Sequence, residues 1–326
     1  MSIGKFSNSK KFVAKGMRNR SAFPKKFIDI CKMAQCELRS YLYLELRNAY
    51  EEVILEDGFI YARGGDVVVT AHMDTVHKEE VQSYYGWHDK GKNYISSPQG
   101  IGGDDRCGIY MILQIIENGY RPTVLFCEDE EIGGVGSNKF VATPYINELK
   151  EKKFMIELDR ANANDLVFYD DDNEAFHDWC AKITGYKEAY GSFSDISHLC
   201  PKAEVSGVNI SCGYYNAHTT SEYVCLEEMD ASIDAAVKMI EASGDVEQFT
   251  YVDGWSLGDF YKYEDGYIYG TSSENAILEV MYYDEMKREE TTCITGNTID
   301  GCWVTFFIEN PSTCWNDIFD WNEMFM

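Results

Sequence analysis

Four short apolar runs do most to limit what this chain can fold into. Val67 to Ala71, Val124 to Cys127, Phe154 to Ile156 and Val208 to Cys212 are continuous rather than alternating, the pattern of strands buried on both faces. Each run ends in a polar, often glycine-rich segment: His72-Met73-Asp74, then Glu128-Asp129-Glu130-Glu131, then the approach to Asp159, then the approach to His218. Helical periodicity marks Cys107 to Glu117 before the second run and Leu226 to Ala242 after the fourth. Buried strands alternating with helices predict an α/β fold, a three-layer α/β/α body with a mixed, mostly parallel central sheet. Ahead of it, the apolar spacing of Phe27 to Ala49 predicts one packed helix. Glu52 to Leu55 and Phe59 to Ala62 flank Glu56-Asp57-Gly58 as a hairpin.

Charge limits the partners. The 326 residues include 29 Lys and Arg against 55 Asp and Glu, a net charge of −26, which repels phosphate backbones and anionic lipid. Neither nucleic acid nor a membrane surface is an expected partner. No apolar run approaches the ~20 residues of a membrane span, and the first residues lack the apolar stretch of a secretory signal. Eleven scattered cysteines without a Cys-x-x-Cys suit reduced, buried thiols, and a cytoplasmic location is expected. Residues 1–26 form a basic arm with eight Lys/Arg and no acid. Residues 27–244, which hold these strands and helices, are expected to form the main body of the chain. From 246 to 326 the chain has 17 aromatic, 16 acidic and 3 basic residues, and short runs such as Tyr267-Ile268-Tyr269 predict a small β-rich C-terminal appendage over 245–326. It is expected to pack on the body, with a partner or substrate-capping surface as the alternative.

Open α/β sheets bind ligands at the carboxyl ends of their strands, and here those ends deliver His72, Asp74, Glu130, Glu131, Asp159 and His218. Asp104 joins them from Gly100-Ile101-Gly102-Gly103-Asp104-Asp105, where glycines let the backbone come close to an ion. Singly, each is ordinary: a solvated His-Asp pair, a surface Glu-Glu pair, an Asp-Asp turn, one histidine. Together they suit a two-metal hydrolase, in which two divalent ions need a bridging carboxylate and imidazole or carboxylate to complete each shell. Asp74, two positions from His72 on an extended segment, shares its face and can fix the imidazole tautomer. One of Glu130 and Glu131 can bind a metal while the other takes a proton from water.

His72-Met73-Asp74-Thr75-Val76, Gly103-Asp104-Asp105-Arg106-Cys107-Gly108, Asp129-Glu130-Glu131-Ile132-Gly133, Glu157-Leu158-Asp159 and Ala217-His218-Thr219 together resemble the co-catalytic dizinc exopeptidases. That superfamily holds leucyl aminopeptidases, tripeptidases, carboxypeptidase G-like enzymes and acylamino-acid deacylases. The resemblance covers about residues 50 to 242. It implies that Asp104 bridges two ions, with His72 and Asp159 completing one site and Glu131 and His218 the other. It implies further that Glu130 is the general base, that Asp74 orients His72, and that the Asp104-Asp105 peptide is cis. Zinc is the implied metal, and manganese or cobalt also suits an N/O shell. Asp159 and His218 are 59 positions apart, too close for the lid and dimerisation domain of the tripeptidase and carboxypeptidase-like members. His72 and Asp104, 32 apart, leave no space for the insert of the self-compartmentalising enzymes. The single-domain aminopeptidase branch, acting on peptides, is therefore the leading expectation. An N-acyl amino acid or small-amide deacylase with the same site, and a non-catalytic binding module, are the alternatives, and a homo-oligomer is left open.

Lesser candidates have plain structural readings. Ser192 to His198 resembles the family's substrate-side Ser-Asp loop but reads first as a turn. Tyr214 and Tyr215 are candidate oxyanion donors that read first as core residues. His77, His88 and His177 have no ligand-like pattern around them.

Overall fold

The computed structural model describes residues 23–254 and, beyond them, five strands between Lys262 and Glu309. Residues 1–22, most of the expected basic arm, lie outside the described residues.

The chain enters through α1 (Lys25–Cys31) and α2 (Gln35–Ala49), where the periodicity predicts a single helix. The break leaves the apolar stripe intact, since Phe27, Ile30, Leu38, Leu42 and Leu46 all enter one core. What it changes is the polar groups at the turn. The Met33 carbonyl accepts from Nη2 of Arg106 at 3.1 Å, and Nε2 of Gln35 donates to Asp129 at 3.1 Å, so the turn between the helices is fixed beside the acidic loop.

The expected hairpin is present as β1 (Val53–Glu56) and β2 (Phe59–Ala62). There follow β3 (Val67–His72), a second hairpin of β4 (Tyr85–Asp89) and β5 (Lys92–Ser96), then α3 (Gly103–Glu117) and β6 (Thr123–Cys127). Two short helices, α4 (Val135–Val141) and α5 (Ile146–Leu149), lead to β7 (Phe154–Arg160) and β8 (Asp165–Val167). The chain continues through α6 (Glu174–Thr184), β9 (Lys187–Glu188), α7 (Asp195–Ala203), β10 (Gly207–Ser211), β11 (Tyr214–Tyr215), β12 (Tyr223–Cys225) and α8 (Leu226–Ala242).

Eight strands form the central sheet in the order β1-β2-β6-β3-β7-β10-β8-β9. Its middle, β6-β3-β7-β10, is parallel, while β2 and β8 join it antiparallel. Alternate residues of one strand enter opposite cores. Val67, Val69 and Ala71 pack with α1, α3 and α8, whereas Val68, Leu125 and Met155 pack with α4 and α7. Both faces are thus covered, which is why these strands read as unbroken apolar runs. The chain leaves β3 for β6 on one side and later returns to β7 on the other, so a crevice opens at the carboxyl ends of these strands.

A second, four-stranded antiparallel sheet, β11-β12-β5-β4, carries the loop that holds His218 between β11 and β12. Its outer face bears Tyr215, Tyr223, Tyr94 and Trp87, with successive ring centroids 5.0, 5.9 and 5.3 Å apart. After α8 the chain stays on the body: Phe249 packs against Phe154, Phe176 and Trp179, and Val205 pairs with Thr250. Beyond it lie β13 (Lys262–Glu264), β14 (Tyr267–Ser272), β15 (Ala276–Met281), β16 (Thr291–Asn297) and β17 (Trp303–Glu309), an antiparallel sheet in sequence order that agrees with the predicted β-rich appendage. The packing or capping role expected of that segment lies outside the described residues. Among the described residues no helix is long and apolar enough to cross a membrane, and eight cysteines are unpaired, seven of them buried.

Candidate metal centre

Five segments of the chain meet at one edge of the sheet. His72 closes β3, and its ring is fully buried. Nδ1 lies 3.2 Å from Oδ1 of Asp74, the pairing expected from their spacing. Asp74 also accepts from the backbone N–H of Glu130 and of Glu131, both at 3.0 Å. One carboxylate therefore sets both the ring of His72 and the course of the acidic loop after β6.

On its other edge, Nε2 of His72 is 3.0 Å from Oδ1 of Asp104 and 3.4 Å from Oδ1 of Asp159. Nε2 of His218 is 3.2 Å from Oδ2 of Asp104 and 3.0 Å from Oε2 of Glu131. Asp104 thus turns one oxygen toward each group. His72, Asp104 and Asp159 form one potential ligand trio and Asp104, Glu131 and His218 a second, the ligand atoms of each within 4.8 Å of one another. Glu130 belongs to neither, with Oε2 3.9 Å from Nε2 of His72. All seven residues singled out in the sequence converge here.

Asp104 can occupy this place because of its neighbours. Gly102, at φ 66° in the left-handed region, opens α3, and the Asp104-Asp105 peptide is cis. Asp105 points inward, accepting from the N–H of His72 at 3.2 Å and of Gly108 at 2.8 Å, which ties the end of β3 to the first turn of α3. At Gly108 a Cβ would stand 1.8 Å from the Leu158 carbonyl, so only glycine lets α3 lie this close to β7.

Burial governs the protons of the cluster. It lifts Asp159, beside the charge of Asp104, to about 7. It also lifts Glu130 to about 10, against the pull of His72 and with the help of Asp159. Asp104 goes the other way: burial would raise it, but hydrogen bonds from His218 and His72 hold it below the usual carboxylate range. Asp74 is likewise held low against burial by His72 and the two loop N–H groups. Hydrogen bonds to Asp104 and Glu131 carry His218 up to about 10. His72 rises in spite of burial, drawn by Asp159 and Asp104.

This donor set suits divalent cations. It is all imidazole and carboxylate, as zinc, manganese and cobalt accept. It contains more carboxylates than its two histidines can balance, so protons are retained that cations would displace. Oε1 of Glu131 is buried without a hydrogen-bond partner, a state an acceptor rarely keeps.

Several supporting residues escape a sequence reading. Ser194 Oγ donates to Oδ2 of Asp159 at 3.0 Å, and the Asp159 N–H donates to Oδ1 of Asn209 at 3.0 Å. Ser194 stands in the segment read as a turn, and it does open α7, its N–H donating to Oγ of Ser197 at 3.1 Å. Only the Ser-Asp likeness pointed there, and nothing pointed to Asn209 in the middle of an apolar strand. Glu222, fully buried between β11 and β12, hydrogen-bonds the loop that carries Asp104. Tyr214 spends its hydroxyl on the Asp159 carbonyl and packs in the core, as its plain reading has it, whereas Tyr215 is half-buried on the aromatic face of the second sheet and donates to Glu228. His77 pairs with Glu222, His88 faces Asn93, and His177 stacks on Phe168; none joins either trio.

No protein-family model matches this sequence, and no curated protein matches it. Solved structures do. Aminopeptidase PepT from Bacillus cereus ATCC 10987 superposes with a TM-score of 0.54 at 15% identity, over 67% of this chain and 97% of that one. A tripeptidase from Staphylococcus aureus subsp. aureus Mu50 gives 0.54 at 11% identity, over 68% and 97%. Aminopeptidase APDkam598 from the archaeon Desulfurococcus kamchatkensis gives 0.51 at 12%, over 66% and 94%. The body of this chain has the fold of these solved structures.

Proposed function

We propose that this protein is a two-metal aminopeptidase that removes residues from the free N-terminus of peptides. The observation that carries this reading is Asp104, whose two oxygens face two separate His/carboxylate groups. His72, Asp104 and Asp159 would hold one divalent ion, and Asp104, Glu131 and His218 the other. Bound ions supply Lewis acidity, polarising the scissile carbonyl and acidifying water. Glu130, in neither trio and with Oε2 3.9 Å from Nε2 of His72, would give up its retained proton when cations bind, then take the proton of the attacking water and return it to the departing nitrogen as the amide C–N bond breaks. Asp74 keeps His72 in one tautomer and holds the Glu130 backbone in place. The fold is shared with structures named aminopeptidase and tripeptidase, which is why aminopeptidase is preferred to deacylase.

The test is mass spectrometry of a mixed pool of free and N-acylated peptides incubated with zinc-loaded protein and with a chelated control. Loss of single N-terminal residues from free peptides, abolished by chelation and restored by zinc, is expected. Release of acyl groups instead would make the protein a deacylase, and no reaction with either pool would overturn hydrolysis of peptides and acylated amides.

A further inference from the structure

Glu222 lies four positions after His218, in the same turn, and belongs to neither ligand trio. Its carboxylate is fully buried and well used. Oε2 accepts from the N–H of Gly102 at 2.8 Å, and Nε2 of His77 lies 2.8 Å from the same oxygen. Oε1 accepts from the N–H of Asp104 at 3.1 Å. The Glu222 N–H in turn donates to the Thr219 carbonyl at 3.1 Å, rooting the side chain in the turn that bears His218.

Two ligands from distant parts of the chain, Asp104 and His218, are therefore tied through one side chain. The tie reaches Asp104 at its own backbone nitrogen, so it constrains where the carboxylate can go. We propose that Glu222 is a positioning residue that sets Asp104 against His218 and so fixes the spacing of the two ligand groups, with His77 holding Glu222 in place. The proposal rests on the metal-binding reading above. A carboxylate can accept every one of these hydrogen bonds, and charge makes them strong. Glutamine keeps the volume but replaces one acceptor with an NH₂ donor, which would face the N–H of Asp104 or of Gly102, donor against donor.

Zinc titration of the full chain and the visible absorption of its cobalt-loaded form separate the two claims. A wild-type chain that takes up no ions removes the metal reading before any variant is compared. Where wild type takes up two, Glu222→Gln is expected to weaken at least one of them about 10- to 100-fold, the usual cost of losing an outer-shell partner, and to shift the cobalt bands. Unchanged affinities and superimposable spectra would overturn the proposal, whatever the melting temperature does, because a purely structural role moves the melting temperature and not the cobalt spectrum. Should the glutamine variant not fold, His77→Ala is expected to weaken the same ion by a smaller factor, and an unchanged affinity there overturns the proposal. Hydrogen exchange on the wild-type chain gives a check without mutation: the amides of Gly102 and Asp104 are expected to be protected, and rapid exchange at both would refute it.

Discussion

Asp104 and Glu130 share one buried cluster but treat a proton in opposite ways. Two imidazoles donate to Asp104 and keep it ionised, whereas Glu130 has no comparable donor and is pushed to about 10 by burial, with the charge of Asp159 adding to it. A carboxylate that ligates must be ionised, while a group that carries a proton must be able to take one up and release it. The two substitutions should therefore part company. Glu130→Gln leaves both trios intact and is expected to retain both ions while losing turnover by about 10²- to 10⁴-fold, the usual contribution of a positioned general base. Asp104→Ala removes an oxygen from each trio and is expected to lose ions as well as activity. Metal content by elemental analysis, read beside turnover on the same samples, decides it. Full activity in Glu130→Gln would show that another group moves the proton.

At the scale of elements, the close approach of α3 to β7 holds the centre together, because α3 carries Asp104 and β7 carries Asp159. Gly108 makes that approach possible. In Gly108→Ala the new methyl meets backbone, which cannot swing aside, so the helix must move. A loss of about 3 kcal/mol is expected, toward the upper end of ordinary overpacking, or a melting temperature lower by about 6–12 °C for a body of this size. Metal affinity should fall with it, since the displaced helix takes Asp104 away from Asp159, and a variant that melts like wild type would contradict this account. These elements are legible in the amino-acid sequence for a physical reason. Strands buried on both faces leave unbroken apolar runs, and the residues that follow them must lie at the sheet edge, so the runs alone place His72, Glu130, Glu131 and Asp159 there. The sheet that carries His218 leaves no such trace: Tyr85 to Asp89 is exposed along its length and mixes aromatic with polar residues. The division of 27–49 into two helices is hidden too, because the buried positions stay in helical register across the break. Glu222 and Asn209 matter through backbone groups brought from far along the chain, which spacing alone does not reveal.

Across the whole molecule the raised groups act together and give stability a pH dependence of definite sign. In the folded, metal-free chain Glu130 and His218 hold protons up to about pH 10 and Asp159 up to about pH 7. Unfolded, the same groups release theirs near ~4.3, ~6.5 and ~3.9. Between these limits the folded state binds more protons than the unfolded one, so the unfolding free energy falls as pH rises. Asp74 and Asp104, held low, work in the opposite sense, but their window lies below the ordinary carboxylate range and is closed by about pH 5. Metal-free protein is thus expected to melt at progressively lower temperature from pH 5.5 to pH 9. Cations replace the retained protons, so affinity should rise with pH and the loaded protein should melt with a much flatter profile. The retained charge imbalance, rather than the overall charge of −26, is the cause, and one variant separates them. Glu130→Gln removes a single proton site without changing the cations available, and it should reduce the slope of the metal-free chain by at most about 1.4 kcal/mol per pH unit. Calorimetry of both chains, stripped and zinc-loaded, across this range makes the comparison. A metal-free wild type whose stability is flat or rises with pH would mean that the cluster does not hold these protons, and the case for cations displacing them would fall with it.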